Sequence, residues 1–392
     1  MIDFLEEAKA IKKELVAWRR DFHENPELGF EEWRTSGVIK EFLKSEGIPY
    51  TEVAKTGICA VIKGGQEGKT IALRADIDGL PIQDKKSCDY KSKVDGKMHA
   101  CGHDAHTTIL LGAAKLLNKY KSELKGNVKL LFEPAEETVG GSRFMIGEGV
   151  LENPKVDGII GLHVNEALSA GEIKIKKGVV NAASNPFKIK VKGKGGHGAE
   201  PHNAVDPIVM ASHLVLALQP LVSREISPVN PAVITVGSIN GGYAENVIPD
   251  EVTLKGIIRT MTTEDREYAK KRVEEITKSI TTAFRGDYEI EIQESYPCLY
   301  NNDDMVDLVS EAAVKIIGKE NVKEQLVPFM GVESFAYFAM ERNAAFYFLG
   351  IGNKERNIVS PIHNALFDID EDSLPVGVAI QCQSAFDYLT RK

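Results

Sequence analysis

The segment Met98–His106 gathers residue types that bind soft and borderline metal ions. It reads Met-His-Ala-Cys-Gly-His-Asp-Ala-His, so a cysteine, an aspartate and histidines stand within a few positions of one another. A Cys-x-His pair, here Cys101 and His103, can direct a thiolate and an imidazole at one ion from an irregular loop. The alternative is a helix start capped by the aspartate, with the histidines bonded locally. For His99 and His106 a supporting or packing role is equally open.

The pair Glu136 and Glu137 is a second candidate for chemistry. It belongs to Glu-Pro-Ala-Glu-Glu at 133–137, directly after an apolar run at 127–132. If that run is a strand of an open α/β sheet, its carboxyl end lies in the crevice where such sheets bind ligands. One glutamate could then coordinate a metal while the other acts as a general base on water. A solvated acidic turn is the structural alternative.

Other metal-competent side chains also follow apolar runs. Asp76 and Asp78 come after 70–75, His163 ends the run 156–162, and His363 lies in the loop after 344–349. If these runs are parallel strands of one sheet, their ends meet at one edge. One aspartate could orient a ligand imidazole there. Either could instead cap a turn, and a lone histidine at a strand end is often a packing residue, so the clustering is what favours a metal centre.

Residues 193–202 form a glycine-rich segment around His197. The segment has neither the strand–GxGxxG–helix context nor the Gly-Lys-Ser/Thr of a phosphate loop. Its glycines would instead allow His197 to approach a substrate closely. Further along, Asn246 and Arg259 offer an amide and a guanidinium suited to binding a substrate carboxylate. Taken singly, they could be a turn residue and a surface cation.

The elements that must position these side chains alternate between helix and strand. Apolar spacing predicts helices over 4–22, 31–45, 105–119 and 141–151, and strands over 58–63, 70–75, 127–132 and 156–162. The alternation indicates an α/β fold with a mostly parallel central sheet.

Residues 181–296 have a different pattern. A strand at 187–191, a helix at about 207–221, strands at 232–239 and 251–260, a helix at 264–284 and a strand at 287–295 give the order of a split βαβ, ferredoxin-like unit. Helix–strand alternation resumes from 297, with a strand at 344–349. We therefore predict a discontinuous metal-binding domain, 1–180 and 297–392, interrupted by an inserted α+β domain, 181–296.

Composition excludes several classes of partner. The 392 residues are 43% hydrophobic and 27% charged with a formal net charge of −9, which predicts a folded protein of more than one domain. No basic run tracks phosphates, so neither nucleic acid nor a membrane is an expected partner. The N-terminus does not have the order of a signal peptide, and no uninterrupted apolar run is long enough to span a bilayer. Five scattered cysteines favour a reducing, cytoplasmic location.

In this order the motifs resemble the metallopeptidase-like amidohydrolase family of aminoacylase, carboxypeptidase, hippurate hydrolase and the indole-acetyl-amino-acid hydrolases. The resemblance covers nearly the whole chain and rests on RDFHENPEL at 20–28, LRADIDGLP at 73–81, HACGHD at 99–104, PAEE at 134–137 and NVIPD at 246–250. It implies a large zinc-peptidase-like domain.

The resemblance also implies a metal centre and a reaction. Two divalent ions (Zn, Mn, Co or Ni) would be held by a ligand set in which Cys101 bridges: Cys101, His103, Glu137, His163 and His363. Glu136 would take a proton from the metal-bound water that attacks the amide carbonyl of an N-acyl-L-amino acid, such as an N-acetyl or N-benzoyl derivative. It would then deliver that proton to the leaving amine. A carboxypeptidase or dipeptidase with the same site is the alternative.

For the inserted domain the resemblance implies dimerisation and a lid. His197 would reach the active site of a partner subunit and stabilise the oxyanion. Asn246 and Arg259 would bind the substrate carboxylate. The protein would then be a homodimer or a higher homo-oligomer.

Five positions depart from the family pattern. Ser334 replaces an aspartate in a Gly-x-Glu-Asp-Phe segment, Glu133 replaces a frequent glutamine, Asn343-Ala344 replaces Pro-Gly, and Ala365 replaces a proline. None removes a proposed ligand or the base. The acyl group and the amino acid are left open.

Three other functions compete with this one. A zinc deaminase would need a Pro-Cys-x-x-Cys pair, which the chain lacks. A hydrolase with Cys101 as nucleophile would keep its activity in chelator. A metal-binding protein without turnover is disfavoured because Glu136, assigned to proton transfer rather than ligation, stands beside Glu137.

Overall fold

Two compact units make up the chain in the computed structural model, which describes residues 2–391. The first comprises the described residues up to Val180, Tyr300–Val327 and the described residues from Glu333 onwards; the second comprises Asn181–Leu299 and Pro328–Val332. The helices are α1 (Phe4–Ala10), α2 (Lys12–Glu24), α3 (Trp33–Ser45), α4 (His103–Lys119), α5 (Glu136–Val139), α6 (Gly141–Gly147), α7 (Pro207–Pro220), α8 (Thr263–Ala283), α9 (Asp303–Ile317), α10 (Phe335–Glu341) and α11 (Ser373–Thr390).

The strands are short on average and fall into two main sheets and two small ones. In chain order they are β1 (Tyr50–Val53), β2 (Gly57–Lys63), β3 (Gln66–Asp76), β4 (Lys125–Glu133), β5 (Gly158–Ser169), β6 (Ile173–Ile175), β7 (Gly178–Asn181), β8 (Ala183–Lys192), β9 (Gly196–His197), β10 (Ala232–Gly241), β11 (Val247–Ile248), β12 (Glu251–Thr260), β13 (Asp287–Ile292), β14 (Leu299–Asn301), β15 (Val322–Glu324) and β16 (Asn343–Gly352).

The first unit is built on an eight-stranded mixed sheet in the order β1-β2-β4-β3-β5-β16-β6-β15. Its four central strands, β4, β3, β5 and β16, run parallel. Strand β2 pairs antiparallel with both β1 and β4, and β6 pairs antiparallel with β16 and parallel with β15. The central strands are continuous apolar runs because sheets covered on both faces bury both sides of each strand. Their parallel direction brings the carboxyl ends of β3, β4 and β5 to the same edge.

Helix α4 lies deep in the core of this unit. Nearly all its residues from His103 to Leu117 are buried, and it packs on β3 and α11. Gly112 permits the close approach of α11, since a Cβ there would lie 2.6 Å from Val378 Cγ2. A helix buried on all sides is a rigid support for the residues at its first turn, which are His103 and its neighbours.

The second unit has the order strand, helix, strand, strand, helix, strand. Its four-stranded antiparallel sheet has the order β10-β12-β8-β13, and α7 and α8 pack on β8 and β12. Both helices have well-formed starts: Asp206 caps α7, which has proline at its first position, and Thr262 caps α8.

One helical stretch among the described residues, Pro207–Glu225, is long and apolar enough to cross a membrane by length and composition alone. Core helices of folded domains can meet the same criterion. The stretch consists of α7 and its π-helical continuation, and its buried side includes Met210, Leu214 and Leu218.

Several element boundaries differ from those predicted. The helix predicted over 4–22 is divided at Ile11 into α1 and α2, and the helix predicted over 141–151 ends at Gly147. The strand predicted at 156–162 begins at Gly158 and continues to Ser169, so His163 lies within β5 rather than after its end. The sheet is mixed because β2 pairs antiparallel with β4.

Candidate metal centre

Five side chains with metal-binding atoms meet at one edge of the large sheet. Within this cluster, Cys101, His103 and His163 form one group and Cys101, Glu137 and His363 another, the ligand atoms in each group lying within 4.8 Å of one another. Cys101 Sγ is 3.2 Å from His163 Nε2 and 3.3 Å from His363 Nε2. The two groups share Cys101, and His103 also belongs to a group with Glu136 and Glu137 and to one with Asp76 and His106.

The loop before α4 brings Cys101 and His103 into this cluster. Gly102 between them has a φ of +87°, a left-handed conformation that glycine adopts without strain, and a Cβ there would lie 2.3 Å from Val164 Cγ2. Glycine is therefore required both by the backbone and by the neighbouring side chain. His363 also has a positive φ, +61°, and its N–H donates to the Ala100 carbonyl at 2.7 Å, which joins the two ligand-bearing segments.

Asp78 fixes the orientation of His103. Its Oδ1 is 3.1 Å from His103 Nδ1, and its Oδ2 accepts a hydrogen bond from the Glu137 N–H at 3.1 Å. A carboxylate on Nδ1 leaves Nε2 as the free ligand atom. That His103 Nε2 is buried and makes no hydrogen bond to any described residue, with Glu137 Oε1 3.9 Å away. An orphaned imidazole nitrogen among anionic oxygens fits a bound cation.

A backbone carbonyl orients His163 in the same way. Its Nδ1 lies 2.7 Å from the Val164 carbonyl, which holds the proton on Nδ1 and turns Nε2 towards Cys101. His106 is different. Its Nδ1 is 2.5 Å from Asp76 Oδ1 and its Nε2 accepts the Val164 N–H at 2.9 Å, so both nitrogens are engaged and the residue supports the site.

Charge and burial set the protonation of the metal-free centre. Burial, together with the charge of Glu137, raises the pKa of the Cys101 thiol well above its usual value. Burial opposes charge on His103, but the carboxylates of Asp76 and Asp78 outweigh it and raise the pKa of that imidazole well above its usual value. Protons therefore occupy positions that a cation would take.

Glu136 stands beside these ligands without being one of the five predicted. Its carboxylate is buried, and Oε1 accepts the N–H of Ser334 at 3.0 Å. Burial raises its pKa well above the usual value, and the nearby charges of Glu333 and Glu137 act in the same direction. Ala135 precedes it with a φ of +54°, and the Ala135 N–H donates to the buried Glu32 at 2.8 Å.

The remaining predicted site residues belong to the second unit. His197 on β9 and Asn246 in the turn before β11 are exposed and line one open pocket of about 410 Å³. His197 Nδ1 accepts the Ala199 N–H at 3.0 Å, so Nε2 faces outward as a donor. Arg259 is half-buried on β12 and donates to the Met330 carbonyl at 3.2 Å.

Sequence reasoning assigned no role to two buried charged residues. Arg74 on β3 bonds to Asp76, Glu133 and Ser334, and Glu32 holds the backbone before Glu136. A signal existed for Arg74, because it is a single charge within the apolar run Ile71–Ala75. For Glu32, which precedes α3, the local sequence gives no signal of a role in the site.

Comparison with known proteins bears on this centre. The model of Peptidase family M20/M25/M40 matches residues 72–386. The chain is 41% identical to the Arabidopsis thaliana IAA-amino acid hydrolase ILR1-like 4, covering 96% of this chain and 86% of that protein.

The chain belongs to peptidase family M20/M25/M40.

Other relatives in the family differ in their named substrates. N-acetyl-L-cysteine deacetylase of Bacillus subtilis is 42% identical, with 93% of this chain and 85% of that protein covered. Thermostable carboxypeptidase 2 of Saccharolobus solfataricus is 37% identical, with 99% of both chains covered. A solved Bacillus subtilis dinuclear metal-binding peptidase of the M20 family superposes with a TM-score of 0.84 at 34% identity, covering 97% of this chain and 99% of that one.

Family membership confirms the resemblance seen in the motifs, the α/β fold class and the prediction of an enzyme that hydrolyses amide bonds. It also agrees with the donor groups around Cys101, which suit divalent metal ions.

Proposed function

We propose that this M20-family protein hydrolyses the amide bond of N-acyl-L-amino acids and releases a carboxylate and a free amino acid. The observation that carries the proposal is the cluster of thiol, imidazole and carboxylate donors, which ranges from buried Cys101 to exposed His363, with a second glutamate, Glu136, held beside it. Relatives named for hydrolysis of N-acetylcysteine and of an indole-acetyl-amino acid support this substrate class.

The centre would hold two divalent ions through Cys101, His103, Glu137, His163 and His363. The two donor groups that share Cys101 support a pair of ions held by these residues. When bound, such ions supply Lewis-acid chemistry by polarising a carbonyl and lowering the pKa of a coordinated water. Zn, Mn, Co and Ni all accept this donor set, and the thiolate favours Zn on softness.

Glu136 would carry the proton. Its carboxylate accepts a proton from the attacking water and donates it to the nitrogen of the leaving amino acid, which must depart as a neutral amine. The Ser334 N–H holds Oε1, which orients the carboxylate. Burial and the nearby carboxylates raise its pKa in the metal-free centre, and a cation bound beside it would favour the ionised form that acts as the base.

The second unit would supply substrate contacts. His197 presents its outward imidazole nitrogen to the oxyanion, and Asn246 and Arg259 bind the carboxylate of the amino acid. The single hydrogen bond of Arg259 to a neutral carbonyl leaves most of its donors available for an anion.

A homodimer formed through the second unit would bring His197 to a partner's site. The outer face of α7 and β10 exposes large apolar residues, with Leu216 69% and Ile239 51% exposed. Ile208 and Val209 on α7 are exposed as well. Apolar area of this kind on a folded domain is stabilised by burial against a second copy.

Five free cysteines, each without a disulfide in the described structure, support a cytoplasmic location.

A carboxypeptidase or dipeptidase is the second candidate, supported by the relative of that name. The two functions use the same metal centre and differ in the group attached to the amide carbonyl. They are separated by one screen of metal-supplemented protein against N-acetyl and N-benzoyl amino acids and against dipeptides.

The proposal is tested by removing and restoring metal. Chelator should abolish hydrolysis of an N-acyl amino acid, and Zn, Mn, Co or Ni should restore it. Full activity in chelator combined with inactivation by iodoacetamide would instead identify Cys101 as a nucleophile. No turnover with any metal or substrate would indicate a binding protein.

A further inference from the structure

Arg74 is a buried cation surrounded by carboxylates. Only 1% of the residue is exposed, and it lies on β3 directly behind the metal centre. Nε is 2.6 Å from Glu133, Nη1 is 2.7 Å from Asp76, and Nη2 is 3.0 Å from Glu333. One positive charge therefore faces three buried carboxyl groups. The stability of such a cluster depends on the number of its charges, because water does not screen them.

Ser334 and Glu133 meet within this cluster. Ser334 Oγ donates to Glu133 Oε1 at 2.5 Å and accepts from Arg74 Nη2 at 2.9 Å. Ser142 binds the same two residues: its N–H donates to Glu133 at 2.6 Å, and its hydroxyl donates to the Ser334 carbonyl at 2.8 Å. Hydrogen bonds to both its hydroxyl and its backbone carbonyl therefore fix the position of Ser334.

The backbone of Ser334 reaches Glu136. Its N–H donates to Glu136 Oε1 at 3.0 Å, so any displacement of Ser334 moves the donor that holds that carboxylate. The bonds form a continuous path from Arg74 through Glu133 and Ser334 to Glu136. A hydrogen bond of this kind orients its acceptor only if the donor itself is fixed.

We propose that Glu133 and Ser334 are a matched pair of positioning residues for Glu136, in which the serine is required because the carboxylate is at position 133. In the structure the two side chains contact each other directly. A carboxylate at 334 would lie against Glu133 and close to Glu136, where like charges repel. An amide at 133 would leave Arg74 with one fewer anion. Both changes together restore the charge of the cluster.

The proposal rests on the function proposed for Glu136, and a double-mutant cycle tests it. Glu133→Gln and Ser334→Asp should each lower kcat about tenfold, as expected for residues in one hydrogen-bonded network, with KM changed little and metal content unchanged. Glu133→Gln/Ser334→Asp should recover to within about threefold of wild-type kcat. Ile39→Ala, in the hydrophobic core on α3, is the control: it should lower the melting temperature and leave kcat unchanged.

The outcomes are distinguishable. Additive losses in the double variant, single variants as active as wild type, or a double variant that regains its melting temperature without regaining kcat would each overturn the pairing. If a single variant fails to fold, recovery of both folding and turnover in the double variant supports the pairing, and no recovery overturns it. An inactive wild type, or an active Glu136→Gln protein, would reject the proposed function instead.

Discussion

Asp78 bonds to His103 Nδ1 and to the backbone N–H of Glu137 through its two carboxylate oxygens, each at 3.1 Å. One buried side chain thereby orients two proposed metal ligands from different segments, the start of α4 and the turn after β4. Asp78 is not itself one of the proposed ligands.

Replacement of Asp78 should therefore weaken metal binding without unfolding the protein. Asp78→Ala is expected to lower metal affinity about 10- to 100-fold, the usual effect of losing a carboxylate behind a ligand histidine. Asp78→Asn retains an acceptor for the His103 proton and should lose less. Titration of apo-protein with metal ion measures both variants. Equal affinity of Asp78→Ala and wild type would contradict the orienting role.

Metal binding should release protons. Burial and Glu137 raise the pKa of the Cys101 thiol, so the thiol is protonated at neutral pH in the metal-free protein, whereas a metal ligand must be a thiolate. Apparent affinity should accordingly increase as the pH rises towards that pKa. Calorimetry of metal binding in buffers of different ionisation enthalpy gives the number of protons released. Binding that is independent of both buffer and pH would count against a thiolate ligand.

Glu32 should make stability depend on pH. Burial raises its pKa from 4.5 to about 7, so the folded state holds the proton more tightly than the unfolded state does. Its stabilising protonation is complete below pH 4.5 and is lost as the pH rises through about 7, a difference of about 3 kcal/mol.

Glu32→Gln is neutral at every pH and keeps an oxygen for the Ala135 N–H. The melting temperature of metal-free wild-type protein should fall between pH 5 and pH 8 relative to that of this variant. Parallel curves for the two proteins would show that Glu32 has an ordinary pKa.

Trans action of His197 can be tested by subunit complementation. His197→Ala and Glu136→Gln homodimers should both be nearly inactive. A heterodimer of the two has one site with Glu136 from one subunit and His197 from the other, so random reassembly of equal amounts should recover about one quarter of wild-type activity. Co-expression with two affinity tags isolates the heterodimer. An inactive heterodimer would mean that each subunit uses its own His197.

Dimerisation itself should depend on the apolar face of the second unit. Leu216→Asp places a charge on a side chain that is 69% exposed, so the isolated subunit should tolerate it while association is weakened. Light scattering after size exclusion should then report a monomer of unchanged melting behaviour. A dimer as stable as wild type would locate the contact elsewhere.

Much of the metal centre followed from residue types and their places along the chain. Glu137 and His363 are predicted to converge because they follow separate strands of one sheet. Cys101 and His103 are predicted as a ligand pair in a loop before a helix, and the structure places the metal-binding atoms of all four residues in overlapping groups. His163 converges for a different reason, since it lies inside β5, where alternation of side chains along the strand turns it towards Cys101. The predicted end of this strand, at 162, was wrong because its apolar run stops there, whereas the hydrogen bonds of β5 continue to Ser169.

What sequence could not provide was the set of long-range partners. Nothing local predicts that Ser334 contacts Glu133, 201 positions away, or that Glu32 binds the backbone of Ala135. Likewise, the antiparallel pairing of β2 with β4 follows from the order of strands in the finished sheet. Such contacts are fixed by tertiary packing, which periodicity does not encode.

The most direct test of the central claim compares turnover and metal content in Glu136→Gln and wild-type protein. Glutamine has the shape of glutamate and can keep the Ser334 N–H bond, but it cannot accept a proton from water. The account predicts wild-type metal content in the variant, together with a loss of kcat of about 100-fold or more on an N-acyl amino acid. A Glu136→Gln protein that binds the same metal and turns over at the wild-type rate would contradict the account.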